Sequence, residues 1–556
     1  VGDVEQKFVG LIAVFEQANF TAFTVAGAYT VDWGNGVTEN YSSGATALHA
    51  YDFADVDLAG SNRPVTLIDS GDFVERTAHG YLDGETVRLW NVTGSTGPVS
   101  GQEYYVISAT PNTFQISETS SGSAVTITTN GTATLLPYKQ AVVTVTPQAA
   151  NNITSLNLNI RHTQAGLQGY ETGWLDIEIG SPDFTSLTIG SSTETVRRRM
   201  LERVRLVSTG SVTSMSGLFQ NCSMLQSVPL FNTAAMTNTS NMFLSCVNLQ
   251  SVPLFNTANV TNMTSMFQNC PSLHSVPLFN TANVTNMTTM FQSCSSLQSV
   301  PLFNTANVTN MTSMFLNCVS LQSVPLFNTA AVTNMTSMLQ SCSSLQSVPL
   351  FNTANVTSML SMFQSCQSLQ RVPLFNTANV TNMISMFINC SSLQSVPLFN
   401  TASVTNMQAM FNSCQGLQRV SLFNTANVTN TNNMFVSCNS LQSVPLFNTA
   451  NVTNMISMFQ NCVSLQAVPA LNVSAVSSSA NFANMFSNSS SLSRIQAEDF
   501  NFTFSVASCK LSAVALNEIY TNLPTVVGQT ITVTGNYGTA THNPTIATGK
   551  GWTVTV

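Results

Sequence analysis

Leu249-Gln-Ser-Val-Pro-Leu-Phe-Asn-Thr-Ala-Asn-Val-Thr-Asn-Met-Thr-Ser-Met-Phe-Gln-Asn-Cys270 is most of one unit of a 24-residue period, and it decides the architecture. Cys222, Cys246, Cys270, Cys294, Cys318, Cys342, Cys366, Cys390, Cys414, Cys438 and Cys462 recur at that spacing. So do Asn232, Asn256, Asn280, Asn304, Asn328, Asn352, Asn376, Asn400, Asn424, Asn448 and Asn472. Leu249, Val252 and Leu254 fit a short strand lining one face of a parallel sheet. Met263, Met266, Phe267 and Cys270, spaced i, i+3, i+4, i+7, fit one face of a short helix. Asn256-Thr-Ala-Asn259 supplies turn chemistry between them. One coil of this size cannot bury its apolar side, but stacked coils can. The strand pattern begins at Leu201, Val204 and Leu206 and returns at Leu225, Val228 and Leu230. The last coil is degenerate: Met485-Phe486 comes three residues late, and Ser489 stands where Cys is expected. About twelve coils at ~4.8 Å per strand make a rod on the order of 60 Å long.

The two periodic residue types have structural readings. The asparagines form a ladder in which stacked amides bond to the coils above and below. The cysteines are buried free thiols acting as small hydrophobes. They lack the clustered spacing of a zinc site. In-register side chains that point the same way are poorly placed for disulfides.

The chain has 556 residues, of which only 7% are charged, against ~25% in ordinary soluble domains. From Val1 to Leu206 there are 21 acidic and 11 basic residues. From Val207 to Ser493 there is no Asp or Glu, and only Arg371 and Arg419 are basic. That surface lacks the cationic footprint of a nucleic-acid binder. No apolar run reaches the ~18 residues of a membrane span, so no membrane insertion is expected. Val1-Gly2-Asp3-Val4-Glu5 does not read as a signal peptide, so either a leader has been removed or export uses another route.

The sequence Asn-Val-Thr-Asn-Met-x-x-Met-Phe-x-x-Cys-x-x-Leu, intact at Asn259–Leu273, resembles that of BspA-like leucine-rich-repeat surface proteins. The resemblance covers residues 201–495 and implies a parallel solenoid. Leu511-Ser-Ala-Val-Ala-Leu-Asn-Glu-Ile-Tyr, Ile531-Thr-Val-Thr-Gly-Asn and Lys550-Gly-Trp-Thr-Val resemble the closing module of such proteins. Physically, Leu516, Ile519, Tyr520 and Leu523 make a helix face that Pro524 ends, and two strands follow. In the usual repeat of this type Asn falls one position later than Asn256 does.

Residues 1–150 have a different character. Ala28-Tyr-Thr-Val-Asp-Trp-Gly-Asn-Gly36 reads as a strand and a tight turn. It resembles the Trp-Gly-Asp-Gly signature of PKD-type β-sandwich domains, with Asn35 in place of Asp. His49-Ala-Tyr51 and the strand Ala141–Thr146 fit later elements of that pattern. Residues 64–136 interrupt it with short strands and resemble a small all-β module of phage virion proteins. Residues 151–200 read as a linking β region and solenoid N-cap, 201–495 as the solenoid, and 496–556 as the cap. Arg197-Arg-Arg-Met-Leu-Glu-Arg-Val-Arg205 reads as a solvated cap.

The fold expected is therefore mainly β with short helices: an N-terminal β-sandwich-like region, a leucine-rich-repeat solenoid, and a C-terminal α/β cap. No hydrolase elbow, zinc-protease or phosphate-loop motif is present in the sequence. Asp52, Asp55 and Asp57 alternate along one stretch, but they read as a solvated edge rather than a calcium loop. His162 and Asp176 read as structural. No catalytic residue, metal or cofactor is expected, and the ligand-binding residues are unknown. The outward strand positions barely vary, apart from His274, Arg371 and Arg419. That uniformity suits a spacer, lateral self-association or a repeating ligand. The reading is a non-enzymatic structural or adhesive surface protein. Taken with the phage-type resemblance, it points first to a virion-surface or tail-fibre component, and second to a bacterial cell-surface or matrix adhesin of BspA-like type. The partners expected are other virion or surface proteins, further copies of the chain, and a host-surface glycan or protein.

Overall fold

The computed structural model describes residues 6–14, 20–51, 64–76, 83, 86–100, 102–119, 122–135, 139–148, 152–160, 173–190, 200–478, 482, 484–496 and 500–556. They fall into two compact units, Val1–Ser211 and Val212–Val556.

The first unit opens with β1 (Lys7–Val14), β2 (Phe20–Ala26), β3 (Tyr29–Asp32), β4 (Thr38–Tyr41) and β5 (Thr46–Ala50). Then come β6 (Pro64–Ile68), β7 (Phe73–Glu75), β8 (Thr86–Thr93), β9 (Glu103–Ile107), β10 (Thr113–Ser117) and β11 (Gly131–Leu135). The unit ends with β12 (Lys139–Pro147), β13 (Ser155–Asn157), β14 (Trp174–Gly180), β15 (Ser186–Thr188) and β16 (Arg203–Ser208). One sheet has the order β16-β14-β1-β12-β3-β4 and a second the order β15-β13-β2-β5. Alternating inward residues join them. Phe8 packs on Phe23 at 5.6 Å and on Trp174 at 5.2 Å, and Phe23 packs on Trp33 at 5.7 Å. The stretch 64–135 closes on itself as a barrel, β10-β7-β6-β11-β8-β9, around Leu67, Leu89, Tyr104 and Phe114.

The stretch read as a linking region contributes β13–β15 to these two sheets. Val204 and Leu206, which match the repeat pattern, lie on β16, and β16 pairs in parallel with β14. Arg203 and Arg205 from the basic run face Asp176 and Glu178 across that ladder, at 3.7 and 3.2 Å. Both pairs are solvent-exposed and contribute little. Arg197–Arg199 lie outside the described residues.

In the second unit, parallel bridges step by 24 residues from Ser214 through Asn238 and Asn262 to Asn454. The solenoid is thus present with the period read from the sequence. Its core is layered by residue type. Leu249, Val260, Met263, Met266, Phe267 and Cys270 are all fully buried, and their counterparts stack above and below. Phe267 lies parallel to Phe243 at 5.5 Å and to Phe291 at 5.7 Å, with interplanar angles of 2° and 7°. A second ladder runs through Phe255, Phe279 and Phe303 at 6.5 Å spacing.

Leu249, Val252 and Leu254, read as a short strand, form none, and the parallel bridges fall at Asn262 and its equivalents instead. Three further local features differ from the sequence reading. First, the Met-x-x-Met-Phe-x-x-Cys half is a run of turns rather than a helix, although its four apolar residues do face inward. Ser265 and Asn269 sit at φ 55° and 59°, in the left-handed region that ends a right-handed helix. Alternate N–H groups therefore leave the coil: Ser265 donates to Thr288 O, Phe267 to Met290 O and Asn269 to Gln292 O. The intervening ones, Met266 and Gln268, donate back to Met263 O and Ser265 O. Every second backbone bond thus ties a coil to its neighbour.

Second, the amide oxygen of each periodic asparagine closes a turn within its own coil. Asn256 Oδ1 accepts from its own Ala258 N–H at 3.2 Å, closing a local turn, and Asn232 through Asn472 repeat this geometry. The neighbouring threonine makes the bond between coils: Thr257 Oγ1 donates to Asn280 O at 2.8 Å and Thr281 Oγ1 to Asn304 O at 2.8 Å. Thr257 is buried and Asn256 exposed, so the short hydroxyl reaches the next coil from inside while the amide turns back at the surface. The third difference, the direction of Leu254, forms the surface described in the next section.

The chain ends in an α/β cap. β17 (Ala467–Val468) pairs in parallel with β18 (Arg494–Ile495). β19 (Phe504–Ser505), α1 (Ala513–Asn522), β20 (Gln529–Thr532), α2 (Thr545–Thr548) and β21 (Trp552–Thr555) follow, with β19-β20-β21 as a parallel sheet. Ser512 caps α1 by accepting the Ala515 N–H. Ala515, Leu516, Ile519 and Tyr520 bury its inner face. Lys550 Nζ donates to Thr521 O and Leu523 O at the other end of α1.

Candidate interaction surface

The sequence Val252-Pro-Leu-Phe-Asn256 places two large apolar residues side by side. An extended chain turns consecutive side chains to opposite faces, so only one of the pair can enter the core. The structure buries Phe255 (2% exposed) and expels Leu254 (59% exposed). The sequence reading placed Leu254 inside with Leu249 and Val252. A three-residue turn reverses it: the Phe255 N–H donates to Pro253 O at 3.0 Å, which puts Leu254 at the apex. Pro253 presets the first residue of that turn. The same bond joins Phe279 to Pro277 and Phe303 to Pro301, both at 2.9 Å, and Phe423 to Ser421 where Ser replaces Pro.

Repetition turns this local event into a surface. Leu230, Leu254, Leu278, Leu302, Leu326, Leu350, Leu374, Leu398, Leu422 and Leu446 are exposed by 59 to 65%. Ten leucines stand in one rank, one per coil. Gln250 and Ser251 are exposed on one side of the rank in sequence and Asn256 on the other. The few departures from uniformity, His274, Arg371 and Arg419, lie at the Gln and Ser positions and are also exposed. The rank ends where Ala470 replaces the leucine. There, Leu446, Phe447, Asn448, Thr449, Ala470, Leu471 and Asn472 line an open depression of about 390 Å³. The repeated Leu-Phe pair is the signal that identifies this surface in the sequence.

The thiols lie within the stack. All the cysteines are buried, and none is joined in a disulfide. The Cys270 thiol donates to Phe243 O at 3.1 Å and Cys318 to Phe291 O at 3.0 Å, and the pattern repeats along the solenoid. Burial pushes the Cys294, Cys366 and Cys462 thiols up to about 12 from an ordinary 9.0. A thiol held neutral in this way is a poor nucleophile and a poor metal ligand. Among the described residues, no group of three or more His, Cys, Asp or Glu is placed to hold a metal ion. Asp52, Asp55, Asp57 and His162 lie outside the described residues. Asp176 faces Arg203. No helix among the described residues is long and apolar enough to cross a membrane.

In the first unit, the Trp-Gly-Asn-Gly turn forms a second polar cluster. Trp33 is fully buried, its Nε1 donates to Glu39 Oε2 at 2.8 Å, and His49 stacks on it at 4.6 Å. Tyr51 donates to Trp33 O and the Asn35 amide meets His49 Nε2 at 3.1 Å. These bonds fix the turn against the sheets.

The model of a family described as "Mycoplasma protein of unknown function, DUF285" matches residues 193–300, 291–397, 321–419 and 389–500. No curated protein matches the chain. Among solved structures, a leucine-rich repeat protein from Bacteroides ovatus is 18% identical, with a TM-score of 0.33 over 62% of this chain and 89% of that one. Another from Eubacterium ventriosum is 17% identical, with a TM-score of 0.38 over 58% of this chain and 93% of that one. A Leucine Rich Repeat protein from T. pallidum is 16% identical, with a TM-score of 0.14 over 48% and 83%.

Proposed function

The chain belongs to the family described as Mycoplasma protein of unknown function, DUF285, and from that premise we propose that it is a non-enzymatic surface protein that works by contact. The observation that carries this reading is the rank of ten exposed leucines. Monomeric soluble proteins rarely expose contiguous apolar patches beyond a few hundred Å², and larger ones mark interaction sites. The face around it has no acidic group and few basic ones, so it offers little to a charged substrate. Near-identical coils suit a partner that repeats, or a spacer that holds other modules at a distance.

Of the two settings for such a protein, a bacterial cell surface or matrix is favoured over a virion. The family model spans the solenoid and takes its description from a bacterial group. The virion reading rests on the resemblance of 64–136 to a phage module. The PKD-like reading of the sandwich suits either setting, as a spacer or contact domain.

Immunogold labelling of the intact source organism tests the proposal. Gold along the cell envelope or on extracellular filaments supports it. Labelling of capsids or tails moves the protein to the virion, and labelling confined to the cytoplasm removes the surface role.

A further inference from the structure

We propose that the leucine rank is covered by the same rank of a second copy of this chain, packed face to face. This rests on the reading of the rank as a contact surface and names its partner.

Three observations favour a second copy. The first is area. A leucine exposed to this extent offers roughly 100 Å², so ten offer about 1,000 Å² per copy, above the ~800 Å² that each partner gives to a standard stable interface. The ring of exposed Ser, Gln and Asn around it supplies the polar rim that such interfaces carry.

The second is periodicity. The leucines recur once per coil from Leu230 to Leu446 without a gap. A partner that engages all of them must present apolar groups at the same pitch over the same length. A second copy does so by construction, and facing rows of identical side chains interdigitate into a dry seam. A two-fold axis makes the patch self-complementary.

The third is charge. Between Val207 and Ser493 the only charged groups are Arg371 and Arg419, so almost nothing opposes the approach of two such faces. An anionic membrane would need a basic border that this surface lacks.

The experiment is sedimentation velocity on the full chain, from micromolar to hundreds of micromolar. The wild type is expected at twice the chain mass. Leu326 and Leu350 flank the midpoint of the rank, so they lie at its centre in either orientation of the pair. The double variant Leu326→Asp/Leu350→Asp is expected to sediment at the single-chain mass, as is Leu326→Lys/Leu350→Lys. At dilutions where the wild type is also a single chain, both should melt as it does, because these side chains are outside the core. An equimolar mixture of the two variants is expected to recover the double mass and to lose it again at high salt.

A wild type at single mass throughout overturns the proposal. So does an aspartate variant that stays double, or a mixture that stays single. A single-mass wild type that coats neutral phosphatidylcholine vesicles would assign the rank to a lipid surface. That outcome would overturn the second copy but not the contact role, which the immunogold result tests separately.

Discussion

The Ser489 hydroxyl donates to the Phe459 carbonyl at 2.6 Å, in the place where the Cys462 thiol meets the Phe435 carbonyl at 3.0 Å. The coil that departs from the cysteine pattern thus keeps its hydrogen bond. Cys509, in the cap, extends the series to Phe486 O at 3.6 Å. The periodic cysteine is therefore a donor to the coil behind as well as a small apolar filler. We predict that Cys318→Ser costs less than Cys318→Ala. The alanine removes one of the two donors to Phe291 O, which keeps the Cys294 N–H at 3.1 Å, and should lose about 1 kcal/mol in urea unfolding. Equal losses for the two variants would reduce the cysteine to filler.

Alkali should weaken the solenoid. The folded thiols of Cys294, Cys366 and Cys462 titrate at about 12, against 9.0 without burial. Between these values the unfolded chain holds fewer protons than the folded one, so stability falls as pH rises. Each such thiol contributes up to about 1.4 kcal/mol per pH unit in that window. Urea midpoints should be flat below the ordinary thiol range and fall steadily above it. A midpoint unchanged across the window would show that these thiols ionise in the folded state.

Adjacent residues should respond in opposite ways. Leu326 is 59% exposed and Phe327 is 2% exposed. In chains held as monomers by dilution, Leu326→Ser is expected to fall within ~0.5 kcal/mol of the wild type, while Phe327→Ala loses roughly 3–5 kcal/mol. Thermal and urea melts of the two variants check this. A large loss for Leu326→Ser in the monomer would place that side chain in the core.

The cap depends on one buried amide. Asn536, 5% exposed, donates to Val506 O and Val533 O at 2.8 and 2.9 Å and accepts from the Leu511 N–H at 3.0 Å. Asn536→Ala strips all three and should cost roughly 3 kcal/mol or more. Hydrogen exchange is the readout, with early loss of protection in β19–β21 while the Phe267 and Phe291 coils stay protected. Unchanged exchange in the cap would contradict the prediction.

In the first unit, Gly34 has φ +73°, and an added Cβ would lie 2.3 Å from Val142 O. Gly34→Ala therefore strains the Trp33 turn and pushes it off β12. A loss of about 2 kcal/mol or more is expected, seen as weaker near-ultraviolet signal from Trp33 and Trp174 while the solenoid transition is kept. A variant with both transitions unchanged would show that the turn shifts freely.

Much of this protein is determined by sequence alone. A period of 24 residues forces equivalent side chains into register, so the inward rank of Leu249, Met263, Met266, Phe267 and Cys270 follows once coils stack. The near absence of charge from Val207 to Ser493 is a property of composition. The cap helix over Ala513–Asn522 follows from its apolar spacing and from Pro524. Tertiary structure alone decided three other matters. Leu254 points outward because a Pro253–Phe255 turn settles which of two adjacent apolar residues enters the core. The Met-Phe half is a run of turns because its left-handed residues free N–H groups that only the next coil's carbonyls can satisfy, as with Ser265 and Thr288. The Thr257 hydroxyl, and not the Asn256 amide oxygen, reaches the neighbouring coil because the shorter side chain starts inside the stack. Periodicity says which residues lie above one another, but Ser265 and Thr257 take their direction from hydrogen-bond partners 23 residues away, which a single coil does not contain, and the turn at Leu254 takes its sense from the stack that buries Phe255.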